Sequence, residues 1–340
     1  MKNQCFFLTL AGLALALALA ACHGKDDDDD KKPGGNTADV YVVGGGPTLF
    51  KNGVGQLISN REGAALSVFV SGNDVHVAGV EYGGLFGVNN AVYWKNGVMQ
   101  RLSDGNNMAY ASSVFVSGGN VYVAGYEENA QWDRMATLWV NGQAQRLNSG
   151  NIHASANSVF VSGNDIYVAG EDGFDGNGGA ILWKNGELQR LSASGRASSV
   201  FVSNGDVYVI EREIVITNIV STLWKNGEPQ ILNNIEKAQA VFVSGNDVYV
   251  LGYSPNRGNS TVAVWKNGIV QNVSDGRRNA RAYSPHALFV SNGDVYVTGW
   301  EEDAEGSAIP TLWKNGQAQR LTTQTRDVIA YSVYVVEKAE

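Results

Sequence analysis

Apolar and polar positions alternate in short runs along nearly all of the chain from residue 39 onward. The stretch from Val241 to Val270 shows the unit: Val241-Phe242-Val243 and Val248-Tyr249-Val250 flank Gly245-Asn246, and a later apolar run ends in Trp265 before Lys266-Asn267-Gly268. Aromatic and β-branched residues in such alternation predict strands. The Gly-Asn and Asn-Gly pairs supply the positive φ that two-residue hairpin turns require. Each unit therefore reads as two hairpins in succession.

Three patterns recur, each seven times. The first is a Val-Phe-Val run or a close variant, following Ser67, Ser113, Ser158, Ser199, Ala240, Ala287 and Ser332. The second begins at Asp39, Asp74, Asn120, Asp165, Asp206, Asp247 and Asp294. The third is an aromatic residue before Lys-Asn-Gly, at Phe50, Trp94, Trp183, Trp224, Trp265 and Trp313, with Trp139-Val140-Asn141-Gly142 as the odd member. A unit of four strands repeating every roughly 41–48 residues predicts propeller blades. The chain enters on the second pattern and leaves on the first, so six units are complete in order. The last is completed when the C-terminal strand pairs with the N-terminal three, which closes a ring. The expected fold is all-β: a seven-bladed propeller over residues 38–340, with four antiparallel strands in each blade. An open β-solenoid, the competing arrangement, would not need complementary ends. The aromatic residue of each third pattern is expected to pack between blades. The strand after it, as in Gln317-Ala318-Gln319-Arg320, is polar enough for an outer edge.

Composition sharpens this reading. The chain has 41 glycines but only 6 prolines, in keeping with many tight turns. A formal charge of −8 excludes the basic stripe of a nucleic-acid binder. Both cysteines, Cys5 and Cys22, precede the repeats, so the folded region has no disulfide and no thiolate chemistry.

The segment before the repeats reads as an address. Lys2 and the apolar run over 6–21 suit a signal peptide better than a membrane span. Leu19-Ala20-Ala21-Cys22 resembles the bacterial lipobox, which implies cleavage before Cys22 and its lipidation. An ordinary secretory peptide with a cysteine at the cleavage point is the alternative. Residues 22–37, with five adjacent aspartates at 26–30, cannot be buried and read as a solvated tether. An acidic run just after a lipidated cysteine also resembles the surface-export signal of Bacteroidetes lipoproteins, which implies the outer face of the outer membrane. The same residues also suit a spacer on a periplasm-facing lipoprotein.

Named propeller signatures are missing: there is no Gly-His…Trp-Asp pattern, kelch glycine pair, Tyr-Trp-Thr-Asp or Asp-box. The blade pattern resembles bacterial lipoprotein propellers over about 300 residues and implies no enzyme family. The outer-membrane assembly lipoprotein that is also a propeller is similar in class but has a different blade motif.

Candidate sites lie where the blades disagree. Both hairpin turns of each blade fall on one face, which carries the ring of Lys51, Lys95, Lys184, Lys225, Lys266 and Lys314. That ring could attract anionic lipid or polysaccharide, or simply solubilise the turns. The opposite face carries loops of uneven length, where binding sites usually sit. Acids follow the second strand at Glu81, Glu127 with Glu128, Glu171 with Asp172, Glu211, and Glu301 with Glu302 and Asp303. They could hold a cation or a basic partner, or be solvated. Just before each first strand the series is Leu66, Ser112, Asn157, Ser198, Gln239, His286 and Tyr331, expected to ring the mouth of the central channel. Trp132 is out of register with the repeats and suits ligand stacking or capping of its own loop. Trp300 follows the repeat glycine, as Tyr126 and Tyr253 do, and reads as packing. Residues 172–179 have a calcium-like order but lack the closing acid. The binding candidates are therefore Trp132, Glu127, Glu301, Asn157, Gln239, His286 and Tyr331, with Cys22 for lipidation and no metal or cofactor expected.

The sequence carries no nucleophile elbow, phosphate loop or metal-ligating histidine pair at helical spacing. The expected protein is a membrane-anchored, monomeric, non-catalytic binding module for a glycan or a protein. The alternatives are a scaffold within an envelope assembly complex, or a polysaccharide hydrolase or lyase.

Overall fold

A computed structural model describes residues 38–84, 87–147, 153–173, 178–215, 218–255, 259–323 and 328–338. The signal and tether segments, 1–37, lie outside these residues, as do 174–177 of the calcium-like stretch.

Seven antiparallel sheets form a ring of blades. Blade one closes the ring. Its innermost strand is Ala330–Glu337, paired with Ala38–Gly44, and then follow Thr48–Lys51 and Val54–Leu57. Blades two to six each take four consecutive strands, with innermost members Gly63–Ser71, Ala109–Ser117, Ala154–Ser162, Arg196–Ser203 and Glu236–Ser244. Blade seven departs from the expected four. Its inner strand is split into Ala280–Arg281 and Leu288–Ser291, both paired with Asp294–Glu302. Pro285, which has no N–H to give the ladder, lies in the gap.

The repeated residues build the core. Phe50, Trp94, Trp139, Trp183 and Trp313 are almost wholly buried, and Trp265 nearly so, while Trp224 keeps some exposure in a groove between blades four and five. Around the axis, Phe69, Phe115, Phe160, Phe201, Phe242, Phe289 and Tyr334 form an unbroken circle of tilted rings, with neighbouring centroids 4.6–4.9 Å apart. They line an axial cavity of about 280 Å³. Serines stitch blade to blade beside them: Ser332, Ser67, Ser113, Ser158 and Ser199 each accept, through Oγ, the backbone N–H of a valine in the next blade at 3.1–3.3 Å.

On the turn face, each Asn of the Asn-Gly pair sits at φ between 48° and 53°. Asn96 is typical: its Oδ1 accepts the N–H of Val75 and its Nδ2 donates to Asp74, both at 2.8 Å. The turn is thereby tied to the second strand of its own blade.

Candidate functional site

The lysine ring on the turn face is not a free cationic surface. Lys51, Lys95, Lys184, Lys225, Lys266 and Lys314 pair with Asp39, Asp74, Asp165, Asp206, Asp247 and Asp294 at 2.7–2.9 Å. Five of these ammonium groups also stand 5.1–5.4 Å from the ring of a second-strand tyrosine in their own blade.

The opposite face corrects the reading of the acids. Glu81, Glu127, Glu128, Glu171 and Asp172 pair with arginines rather than standing as a solvated rim. Glu81 is buried and bonded to Arg61 and Arg101 at 2.6 and 2.5 Å; burial would raise its pKa, but the two guanidinium groups outweigh it and lower it. Asp172 is buried against Arg190, and its Oδ1 accepts the N–H of Gly179 at 2.9 Å. Glu127 reaches Arg146 at 2.9 Å, although burial still pushes its carboxyl up. No cluster of three metal-ligating side chains exists among the described residues.

Glu211 belongs to a different position. In the ladder it faces Ala197, as Gly79 faces Ala65 and Gly170 faces Ala156. It therefore takes the place of the repeat glycine, and Arg212 follows where blade three has Tyr126 and blade four has Glu171. Its carboxylate is buried, bonded to Ser192 and to Trp224 Nε1, and burial raises its pKa.

That shared position, one past the repeat glycine, builds a cleft of about 490 Å³ across blades three, four and five. Tyr126, Glu171 and Arg212 come from the second strands, and their inner-strand partners Tyr110, Ser155 and Arg196 stand beside them. Ladder partners project to the same side of a sheet, so each blade presents a matched pair. Tyr110 and Tyr126 stack with centroids 5.3 Å apart, and the Arg134 guanidinium lies 5.0 Å from the Tyr126 ring. Ile214 and Ile219, partners in the long hairpin of blade five, also line the cleft.

A second device aims the inner strand. Its ladder skips a residue between Ala111 and Ser113, between Ala156 and Ser158, and between Ala197 and Ser199. Ser112, Asn157 and Ser198 are thus bulge residues, and a bulge re-aims its side chain. Leu66 and Tyr331 occupy the same kind of position. Ser112 and Asn157 reach the cleft. Asn157 is buried; its Nδ2 donates to the carbonyl of Ala197 at 2.9 Å and its Oδ1 accepts from Arg196 at 3.3 Å.

Gln239 is buried behind the cleft. With its amide oriented to satisfy both ends, its oxygen accepts from Arg212 Nη1 at 2.8 Å and its nitrogen donates to the carbonyl of Tyr283 at 2.9 Å. Trp132 is 64% exposed at φ 67°, on the tip of a hairpin braced by Asn129, which accepts from the N–H groups of Gln131 and Asp133 at 2.9 Å. The strands running to that tip carry Tyr126 and Arg134. Glu127, one step from Tyr126, projects to the other side of the sheet.

The remaining candidates lie elsewhere. Glu301 is half-buried in blade seven, where burial and Asp275 raise its pKa against Arg278 and Arg320. His286 lines the axial cavity rather than the loop face, and burial holds its imidazole down at about 4. Tyr331 is half-buried in blade one, and burial lifts its phenol.

Arg134, Arg196 and Arg212 are absent from the sequence candidates. The signal that finds them is register: aligning the blades on the repeat glycine places Arg212 beside Tyr126 and Glu171, a position read from the sequence as packing.

No known family model matches this chain. No curated protein matches it in sequence. Among solved structures it is similar to the periplasmic gluconolactonase PpgL of Pseudomonas aeruginosa, at 12% identity and TM-score 0.50, over 88% of this chain and 99% of that one. It is also similar to a puromycin-hydrolyzing peptidase of Mycobacterium tuberculosis, at 10% identity and TM-score 0.53, over 82% of this chain and 49% of that one. An acylaminoacyl peptidase of Pyrococcus horikoshii aligns at 13% identity and TM-score 0.47, over 76% of this chain and 52% of that one. The chain spans about half the length of the two peptidases. At these identities the likeness is one of fold: a seven-bladed β-propeller.

Proposed function

We propose that this protein is a non-catalytic binding module that takes a glycan in the cleft over blades three to five. The observation that carries this reading is the pairing of a stacked tyrosine couple, Tyr110 and Tyr126, with convergent polar groups on Ser112, Ser155, Asn157 and Arg196. Aromatic faces cover the apolar side of a sugar ring, while hydroxyls and amides exchange hydrogen bonds with its edge. The cleft volume lies in the ordinary range for small-molecule sites. Glycoside hydrolysis ordinarily needs two carboxyl groups flanking the bond. Glu171 is the only carboxylate among the described lining residues, and Arg196 Nε stands 3.5 Å from it. That supports binding over catalysis.

The remainder of the proposal concerns place. Lipidation at Cys22 anchors the propeller to the outer membrane, at the cell surface. A glycan array probed with the purified protein tests the ligand; retained signal that falls on Tyr126→Ala and Asn157→Ala is expected. A protein that retains no glycan but co-purifies stoichiometrically with envelope proteins is a scaffold instead. Release of product from polysaccharide, lost on Glu171→Gln, would make it an enzyme. Protease added to intact cells should remove the protein from the surface, and full protection would reverse the placement.

A further inference from the structure

We infer that the cleft selects acidic saccharides, and that Arg212, with Arg196 beside it, receives the sugar carboxylate. This rests on the glycan reading and narrows it to a charge class.

Arg212 stands apart from most other arginines of the ring. Arg61 and Arg101 are neutralised by Glu81, Arg146 by Glu127 and Arg190 by Asp172. Arg212 has no ion-pair partner among the described residues: Nη1 meets only the neutral amide oxygen of Gln239, and Nε is buried without a partner. Its ladder partner is another arginine, Arg196, so blade five places two like charges on neighbouring strands at one spot. Like charges directly opposite destabilise a sheet pair, and a buried unpaired charge costs more. Burial first, and Arg196 second, push the Arg212 guanidinium below its ordinary pKa. Of the charged groups among the described lining residues, three are arginines and one is a carboxylate, in a chain whose formal charge is −8. Arg134 is partly answered by Glu128 at 3.5 Å. Arg196 is likewise answered in part by Glu171 at 3.5 Å, so the charge without a carboxylate partner is concentrated at Arg212. A guanidinium fork matches a carboxylate in two parallel hydrogen bonds. The stacked tyrosines lie across the cleft to take the ring that bears it.

The test is calorimetric titration of the purified protein with trigalacturonate and, separately, with neutral maltotriose. Trigalacturonate is expected to bind at least tenfold more tightly than maltotriose, and its affinity is expected to weaken as salt is raised. Arg212→Met and the more exposed Arg196→Gln should each lower trigalacturonate affinity at least tenfold, and Arg212→Met should leave any maltotriose binding within about twofold. Arg196→Gln keeps the test open if Arg212→Met fails to fold. Equal affinity for the two sugars, or indifference of trigalacturonate binding to both substitutions, overturns the charge selection and leaves the glycan reading standing. Binding of neither sugar, together with a blank glycan array, removes both. Sodium sulfate that displaces trigalacturonate at equal concentration would show a simple anion site and also overturn the inference.

Discussion

Val140 and Asn120 stand in blade three where the six other blades pair a lysine with an aspartate. Both halves of the pair are replaced together, while the hydrogen bonds of the turn survive: Asn141 Nδ2 donates to Asn120 Oδ1 at 2.8 Å, and Asn141 Oδ1 accepts the N–H of Val121 at 2.9 Å. The asparagine bridge is thus the part of the turn common to every blade, and the ion pair is an addition to it. Installing the pair by Val140→Lys with Asn120→Asp should therefore move the urea unfolding midpoint very little. Asn141→Ala removes the bridge and its tolerated positive φ, and should cost about 1–2 kcal/mol in the same measurement.

The serine stitching predicts a larger effect inside the ring. Ser113→Ala leaves the buried N–H of Val159 without its 3.1 Å acceptor. A loss of about 1–3 kcal/mol is expected by chemical denaturation. The chain already carries alanine at 240 and 287, but at the second of these seams the N–H of Val333 bonds the carbonyl of His286 at 3.0 Å. Among the described residues Val159 makes no such carbonyl bond outside its own sheet, so the substitution should not be silent.

Two buried glutamates should respond in opposite ways. Glu81 answers two arginines, so Glu81→Gln at pH 7 should cost about 1–3 kcal/mol. Among the described residues Glu211 has no cationic partner, and its folded pKa is raised above 4.5. For an acid shifted upward, stabilisation belongs to the protonated form; it is present below 4.5 and lost as pH rises through the folded value. Glu211→Gln keeps an acceptor for Trp224 Nε1, so at pH 7 it should match or exceed the parent in melting temperature.

His286 gives the chain a pH response of its own. It is neutral in the fold down to about 4, whereas the unfolded chain takes up the proton near 6.5. Unfolding is therefore increasingly favoured as pH falls from 6.5 toward 4, by roughly 2–3 kcal/mol across the window. Its buried Nε2 has no partner to lose. His286→Leu should flatten that part of a stability-against-pH profile without reducing stability at pH 7.5.

Repetition made the architecture readable. Strand identity, turn chemistry, blade number and the one-plus-three closure all follow from patterns written seven times, because each copy confirms the register of the next. The break in the inner strand of blade seven was not readable, since Leu288-Phe289-Val290 keeps the pattern while the residues before it leave the ladder. The cleft was legible only in part. Asn157 and Gln239 stand out because their position varies, but the glutamates stand out for their charge, and most of that charge is spent on neighbouring arginines. Arg212 hides because a replaced glycine, Glu211, disguises its register, and because its significance depends on side chains arriving from three blades.

The seam of blade one also imposes an order in time. Ala330–Glu337 is synthesised after every other strand described, yet it is the strand against which Ala38–Gly44 must pair. Until it arrives, Phe69 and Phe289 each lack the Tyr334 ring that joins them at 4.8 and 4.9 Å. The ring therefore cannot close before that strand arrives, and the last strand described works as the latch that joins its two ends.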